Sequence, residues 1–250
     1  DGNDNIAIGK SALAVSDGVG DSNIAIGHNA LVGGTLTDGD LSGCIAIGHN
    51  ALDATGSNDH TGTVAIGYSA LTALTSGIEN TAIGYNAGLA LTTSRSNTIL
   101  GYSAMHRAST AADYNTAIGY QSMNGNFTTA DVNYCVGVGA ATLQGILTSA
   151  ASGATAIGYA SLANNTSGLN VAVGYESGTT ITTGTQNTLI GYQSGKDIIE
   201  GGRNTAVGHL AFGGDLDANG DESFDNTFIG FGSGSGDWVT AVSNKNTAVG

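Results

Sequence analysis

"NTAIGYNAG", Asn80 to Gly88, is written again with small changes as "NTAIGYQSM" from Asn115, "NVAVGYESG" from Asn170 and "NTLIGYQSG" from Asn187. Self-similarity at a short, nearly fixed period is the mark of a repeat architecture. Aligning on the Gly of the motif gives fourteen copies, at Gly9, Gly27, Gly48, Gly67, Gly84, Gly101, Gly119, Gly137, Gly158, Gly174, Gly191, Gly208, Gly230 and Gly250, spaced 16 to 22 residues apart. That period has room for about two short strands and two turns per copy and none for a helical hairpin, so each copy is expected to form one coil of a parallel β-solenoid. Stacked ~4.8 Å apart, fourteen coils would extend roughly 65 Å.

Numbering the motif from one at the Asn to five at the Gly, position four is Ile in nine copies, Val in four and Leu once. Position two is Ile or Val in five copies, Thr in eight, and Tyr134 in the eighth. Side chains alternate along a strand, so positions two and four share a face. Their β-branched character suggests that this face is the interior of the coil. Position three, on the other face, is Ala in ten copies and Ile99, Cys135, Leu189 and Phe228 in the rest. An outward position that is never polar implies a covered outer face. The simplest cover is another copy of the same chain, packed closely around a symmetry axis.

Position one is Asn in eleven copies, among them Asn80, Asn97, Asn115, Asn170, Asn187 and Asn204, as expected for a hydrogen-bonded Asn ladder from coil to coil. Position six is Tyr at 68, 85, 102, 120, 159, 175 and 192, and His at 28, 49 and 209. Regular spacing favours a packed aromatic ladder over a carbohydrate-stacking surface. The Gly at position five points to a backbone conformation or a close approach that a Cβ would obstruct.

These residues resemble the head repeats of trimeric autotransporter adhesins, with "SNIAIGHNAL" at Ser22 to Leu31 a close match, and the Tyr-containing copies are similar to repeats of phage tail fibres. The resemblance spans essentially the whole chain. It implies a left-handed parallel β-roll three chains wide, at a cell or virion surface. The coils here are longer than the usual head repeat, which predicts outward excursions between them.

The composition is not that of an average globular enzyme. The chain has 250 residues, 41 Gly, no Pro, 10% charged residues and a formal charge of −14. An acidic chain without a basic patch is unsuited to nucleic acid or anionic membranes, and no apolar run is long enough to span a bilayer. The sequence opens at Asp1 and stops within a motif at Gly250, so residues 1–250 read as one repeat domain from a longer fibrous protein.

The excursions hold the remaining candidates. In "DLDANGDESFDN", Asp215, Asp217, Asn219 and Asp221 alternate around Gly220, matching the first half of an EF-hand-type loop, with Asp225 as a nearby acid. This is a candidate Ca²⁺ site, against the alternative of a solvated acidic loop. Asp38, Asp40, Asp53 and Asp59 form weaker versions for which the solvated reading is favoured. Trp238 is the one Trp and a candidate ligand contact, against the alternative of packing down its loop. His28 and His49 are expected to stack in neighbouring coils without a third metal ligand. Cys44 and Cys135, five coils apart by ~24 Å, are too distant for a disulfide, which needs Cα atoms within ~7 Å, and are expected to be buried thiols.

No nucleophile elbow, His-Glu-x-x-His, P-loop or dinucleotide fingerprint is present, which argues against an enzyme. The expected role is a shaft or adhesive head of an extracellular fibre, recognising a surface or matrix receptor or a glycan through its loops. A tail-fibre shaft and a self-assembling filament are the alternatives. Ice binding is disfavoured, because the ladder reads Asn-Thr-Ala and lacks the flat Thr-x-Thr array that such a surface would favour.

Overall fold

The computed structural model describes residues 3–14, 20–33, 41–55, 59–108, 112–127, 131–213, 223–236 and 244–250. The chain forms two compact units, Asp1–Asp131 and Val132–Gly250. Both are parallel β-solenoids. The first carries β1 (Ile6–Ile8), β2 (Ile24–Ile26), β3 (Ile45–Ile47), β4 (Val64–Ile66), β5 (Thr81–Ile83), β6 (Thr98–Leu100) and β7 (Thr116–Ile118). The second carries β8 (Val136–Val138), β9 (Thr155–Ile157), β10 (Val171–Val173), β11 (Thr188–Ile190), β12 (Thr205–Val207), β13 (Thr227–Ile229) and β14 (Thr247–Val249). The described residues otherwise include one short 3₁₀ turn, Ser149–Ala151, and no helix long and apolar enough to cross a membrane.

Within each unit every strand pairs in parallel with the next copy, in register, as in Ile45↔Val64 and Thr188↔Thr205. The strands are only three residues long because the Gly that follows leaves the extended region. At Gly67 φ is +138°, and a Cβ would lie 2.3 Å from the carbonyl oxygen of Gly84 in the next coil. Conformation and close approach therefore both select Gly here, as expected from sequence. The chain then turns through left-handed residues at positions seven and nine, such as Asn29 and Leu31 with φ of 53° and 55°.

Two expectations are corrected by the structure. The first concerns the eighth copy. Val136–Val138 is the strand there, with Gly137 opposite Ala156, so the equivalent of the motif Gly is Gly139, at φ +133°. Tyr134 is then not a strand residue. It is the left-handed residue that precedes position one, at φ 61°, like Tyr114 at 59°. Cys135 moves from position three to position one, which leaves Asn in ten copies rather than eleven.

The second correction inverts the strand. In every strand from β2 to β13 the middle residue is buried and its neighbours are half-buried or exposed. Position three is thus the interior, with Ala25, Ala46, Ala82, Ala117 and Ala172 all at 0% exposure. The Ile, Val and Thr of positions two and four face outward. Ala is inside because the narrow coil is already filled from the opposite side by Leu31, Leu52, Leu71, Leu74, Leu91 and Leu162, all fully buried. Close packing leaves room for little more than a methyl group.

Where position three is large, position nine of the same or the preceding copy is reduced to Gly. A Cβ on Gly88 would sit 2.8 Å from Leu71 and 3.0 Å from Ile99, and one on Gly195 would lie 2.6 Å from Leu189. On Gly234 it would lie 2.5 Å from Phe228. Volume is exchanged across the coil and the core stays close-packed.

Candidate functional site

Three columns of side chains run from coil to coil in each unit, and they are the features that a ligand or partner would meet or depend on. The innermost is the Asn column. Asn97 donates from its backbone N–H and its Nδ2 to Asn80 Oδ1, at 3.1 and 3.0 Å, and Nδ2 also reaches the Ala112 carbonyl at 2.6 Å. Asn115 repeats the pattern on Asn97 at 2.9 and 3.2 Å. In the second unit a run of the same kind leads from Asn170 through Asn187 and Asn204 to Asn226 and Asn246. Asn80, Asn97, Asn115, Asn170, Asn187 and Asn204 are at most 1% exposed, so the column is a structural spine and not a surface. Each buried amide satisfies backbone donors that would otherwise lack a partner.

Cys44 and Cys135 stand in this same column. Cys44 N–H donates to Asn23 Oδ1 at 2.9 Å, and its thiol faces the His60 carbonyl at 2.8 Å. The Cys135 thiol faces the Ala151 carbonyl at 3.2 Å. Both are buried thiols, as expected, and burial pushes the Cys135 thiol above its ordinary range.

The second column is aromatic and exposed. In the first unit His28, His49, Tyr68, Tyr85, Tyr102 and Tyr120 stack in order, with ring centroids 5.0 to 5.4 Å apart. In the second, Tyr159, Tyr175, Tyr192, His209 and Phe231 do the same, at 4.9 to 5.3 Å. Phe231 was missed as a column residue, although its place directly after Gly230 could have revealed it. Backbone hydrogen bonds fix the register, since the residue after each ring donates to the ring residue of the preceding coil, as in Asn86 N–H to Tyr68 O and Ser103 N–H to Tyr85 O, both 2.9 Å.

Neighbouring rings are nearly parallel, with Tyr85 and Tyr102 inclined by 8°. The ring faces are turned toward one another, and ring edges and phenol groups toward solvent. A sugar ring that needs an aromatic face therefore finds it already occupied within the column. Glu176 beside Tyr175 raises the pKa of that phenol by its charge, with desolvation adding to it.

The third feature is the outward strand face. Leu100, Ile157, Ile190 and Ile229 are 38 to 44% exposed. No Asp, Glu, Lys or Arg occupies position two or four in any copy, in a chain that has 20 acids and 6 bases. Beside the aliphatic column of position four runs the position-two column, which includes Thr81, Thr98 and Thr116 in one unit and Thr155, Thr188, Thr205, Thr227 and Thr247 in the other.

The excursion candidates fare differently. Asp215, Asp217, Asn219, Asp221, Trp238, Asp38 and Asp40 lie outside the described residues. Asp225 is described, and Arg203 holds it through Nε at 2.6 Å and Nη2 at 3.0 Å. That fork keeps the carboxyl below its ordinary range. Asp59 accepts from the backbone N–H and the hydroxyl of Thr61, and Asp53 is raised by burial. Among the described residues no three His, Cys, Asp or Glu side chains gather as a metal site, and the His28–His49 stack stands without a third ligand. No protein-family model, no curated protein and no solved structure matches this chain.

Proposed function

We propose that this chain is a structural segment of an extracellular homotrimeric fibre, a shaft or adhesive head whose parallel coils assemble through the outward strand face. The observation that carries this reading is that face: uncharged and half-exposed along both units, with an unbroken aliphatic column at position four. An apolar strip of this extent on an acidic chain marks an association surface. The covering copy is thus assigned to positions two and four, and the small residues of position three pack inside the chain's own coils. Rigid stacked coils supply length, and the excursions supply whatever recognition of receptors or glycans the fibre has. A shaft of a tail fibre and a subunit of a self-assembling filament rest on the same architecture.

The test is the solution mass by light scattering, with Ile118→Lys and Ile190→Lys as probes. The wild type is expected at three chains and the double variant at one, with the β circular dichroism signal kept. A monomeric wild type overturns the assembly, and open-ended growth favours the filament. A chelator is expected to leave the mass unchanged, since no carboxylate lies on the face.

One observation favours a second reading. The Thr column that was expected inside is outside, in register beside the aliphatic column, and so presents a regular uncharged array of the kind an ice surface could order against. Thermal hysteresis by the monomeric protein would support ice binding, and its absence would leave the face to self-association.

A further inference from the structure

Assembly through the strand face makes no use of the Tyr columns. We infer that they are sites of oxidative cross-linking, in which neighbouring phenols of consecutive coils are joined as dityrosine by a one-electron oxidant of the peroxidase and hydrogen peroxide class. Three observations carry it. First, Tyr68, Tyr85, Tyr102 and Tyr120 stack in one uninterrupted run, at 5.0, 5.3 and 5.4 Å between ring centroids, and Tyr159, Tyr175 and Tyr192 in another, at 5.1 and 5.3 Å. Second, each of these seven rings is 44 to 55% exposed, so an oxidant reaches them and their edges have room to turn. Third, the backbone on either side is pinned by strand pairing and by the hydrogen bonds from the following residue, so a radical on one ring always meets the same neighbours in the adjoining coils. Proximity of this kind turns a bimolecular coupling into an intramolecular one.

The step balances. Each of two neighbouring phenols gives up one electron and its phenolic proton. Their ortho carbons form a carbon–carbon bond, and the hydrogens on those two carbons return to the oxygens as the rings regain aromaticity. One link therefore releases two electrons and two protons, which convert one peroxide into two waters. His49 at one end of the first run, and His209 followed by Phe231 at one end of the second, continue the stack without a phenol and so bound the reaction. The product staples successive coils at their surface, and closing such loops restricts the unfolded chain.

This inference rests on the single chain and stands or falls independently of trimer formation. The experiment treats the full chain with peroxidase and limiting hydrogen peroxide at high and low protein concentration. Readouts are dityrosine fluorescence and mass spectrometric mapping of the linked peptides. The expected links join Tyr68 to Tyr85, Tyr102 to Tyr120 and other adjacent members of one run, with a loss of two hydrogens each and a yield per chain that dilution does not change. The double variant Tyr85→Phe, Tyr120→Phe leaves no adjacent phenols in the first run. It is expected to lose every link there while keeping those of Tyr159 to Tyr192, and Phe231 shows that the column accepts Phe. Yields that fall with dilution, links that avoid column neighbours, or a double variant that still links within the first run would overturn the assignment. The retained second run reports that the variant is folded and reactive.

Discussion

At Gly67 a single hydrogen in place of a side chain decides whether two coils can touch. The backbone there has φ +138°, and the Gly84 carbonyl occupies the place a Cβ would need. Gly67→Ala is therefore expected to destabilise the unit by at least about 2 kcal/mol, combining backbone strain with an unrelieved contact. Denaturant unfolding followed by circular dichroism checks it, and a loss below about 1 kcal/mol, the lower end of the cost of backbone strain alone, would show that the coils can part locally. This residue was legible in the sequence, since a Gly that recurs directly after a β-branched residue in copy after copy marks a point where the backbone must leave the strand or be approached closely. Cys135 was not. The stretch "NYCVGVG" contains two Gly two residues apart, and choosing Gly137 over Gly139 slips the copy by two. A slip of two preserves alternation, so the pattern itself raised no objection.

At the scale of the element, alternation revealed which residues share a face and not which face is inside. Strands of three residues give one face a single side chain, and the usual rule that Ile is inside and Ala indifferent then misleads. What decides is the volume delivered from across the coil by Leu71, Leu74 and Leu91, a contribution that strand periodicity does not contain. The trade between position three and position nine follows from the same volume. Gly88→Leu is expected to cost about 1–3 kcal/mol by overpacking against Leu71 and Ile99, and Ile99→Ala in the same chain is expected to recover most of it. A double-mutant cycle on thermal or denaturant unfolding measures the coupling. Additive effects would show that the two sites do not share space.

At the scale of the whole molecule, the charges of the sequence all fall outside positions two and four of the motif. Each copy brings a formal charge of −14 to the proposed assembly, while the face through which it would associate has none. Repulsion between copies is then long-range and screenable, with a Debye length of about 8 Å at physiological ionic strength. Association is expected to tighten as salt rises, seen as a lower dissociation midpoint on dilution by light scattering. An assembly held by ion pairs would loosen instead.

The Gly88–Ile99 pairing also bears on how such a chain can be inherited. Copies of one motif invite unequal exchange between themselves, and over most of the chain the gain or loss of one copy would join like to like. Around Ile99 it would not. Losing the copy from Thr81 to Asn97 would set Ile99 against a neighbour that has kept its full-sized Leu71, and losing the copy from Thr98 to Asn115 would leave the space beside Gly88 empty. Lineages descending through this region are expected to add or drop the two copies together, so that heredity here works in pairs of coils.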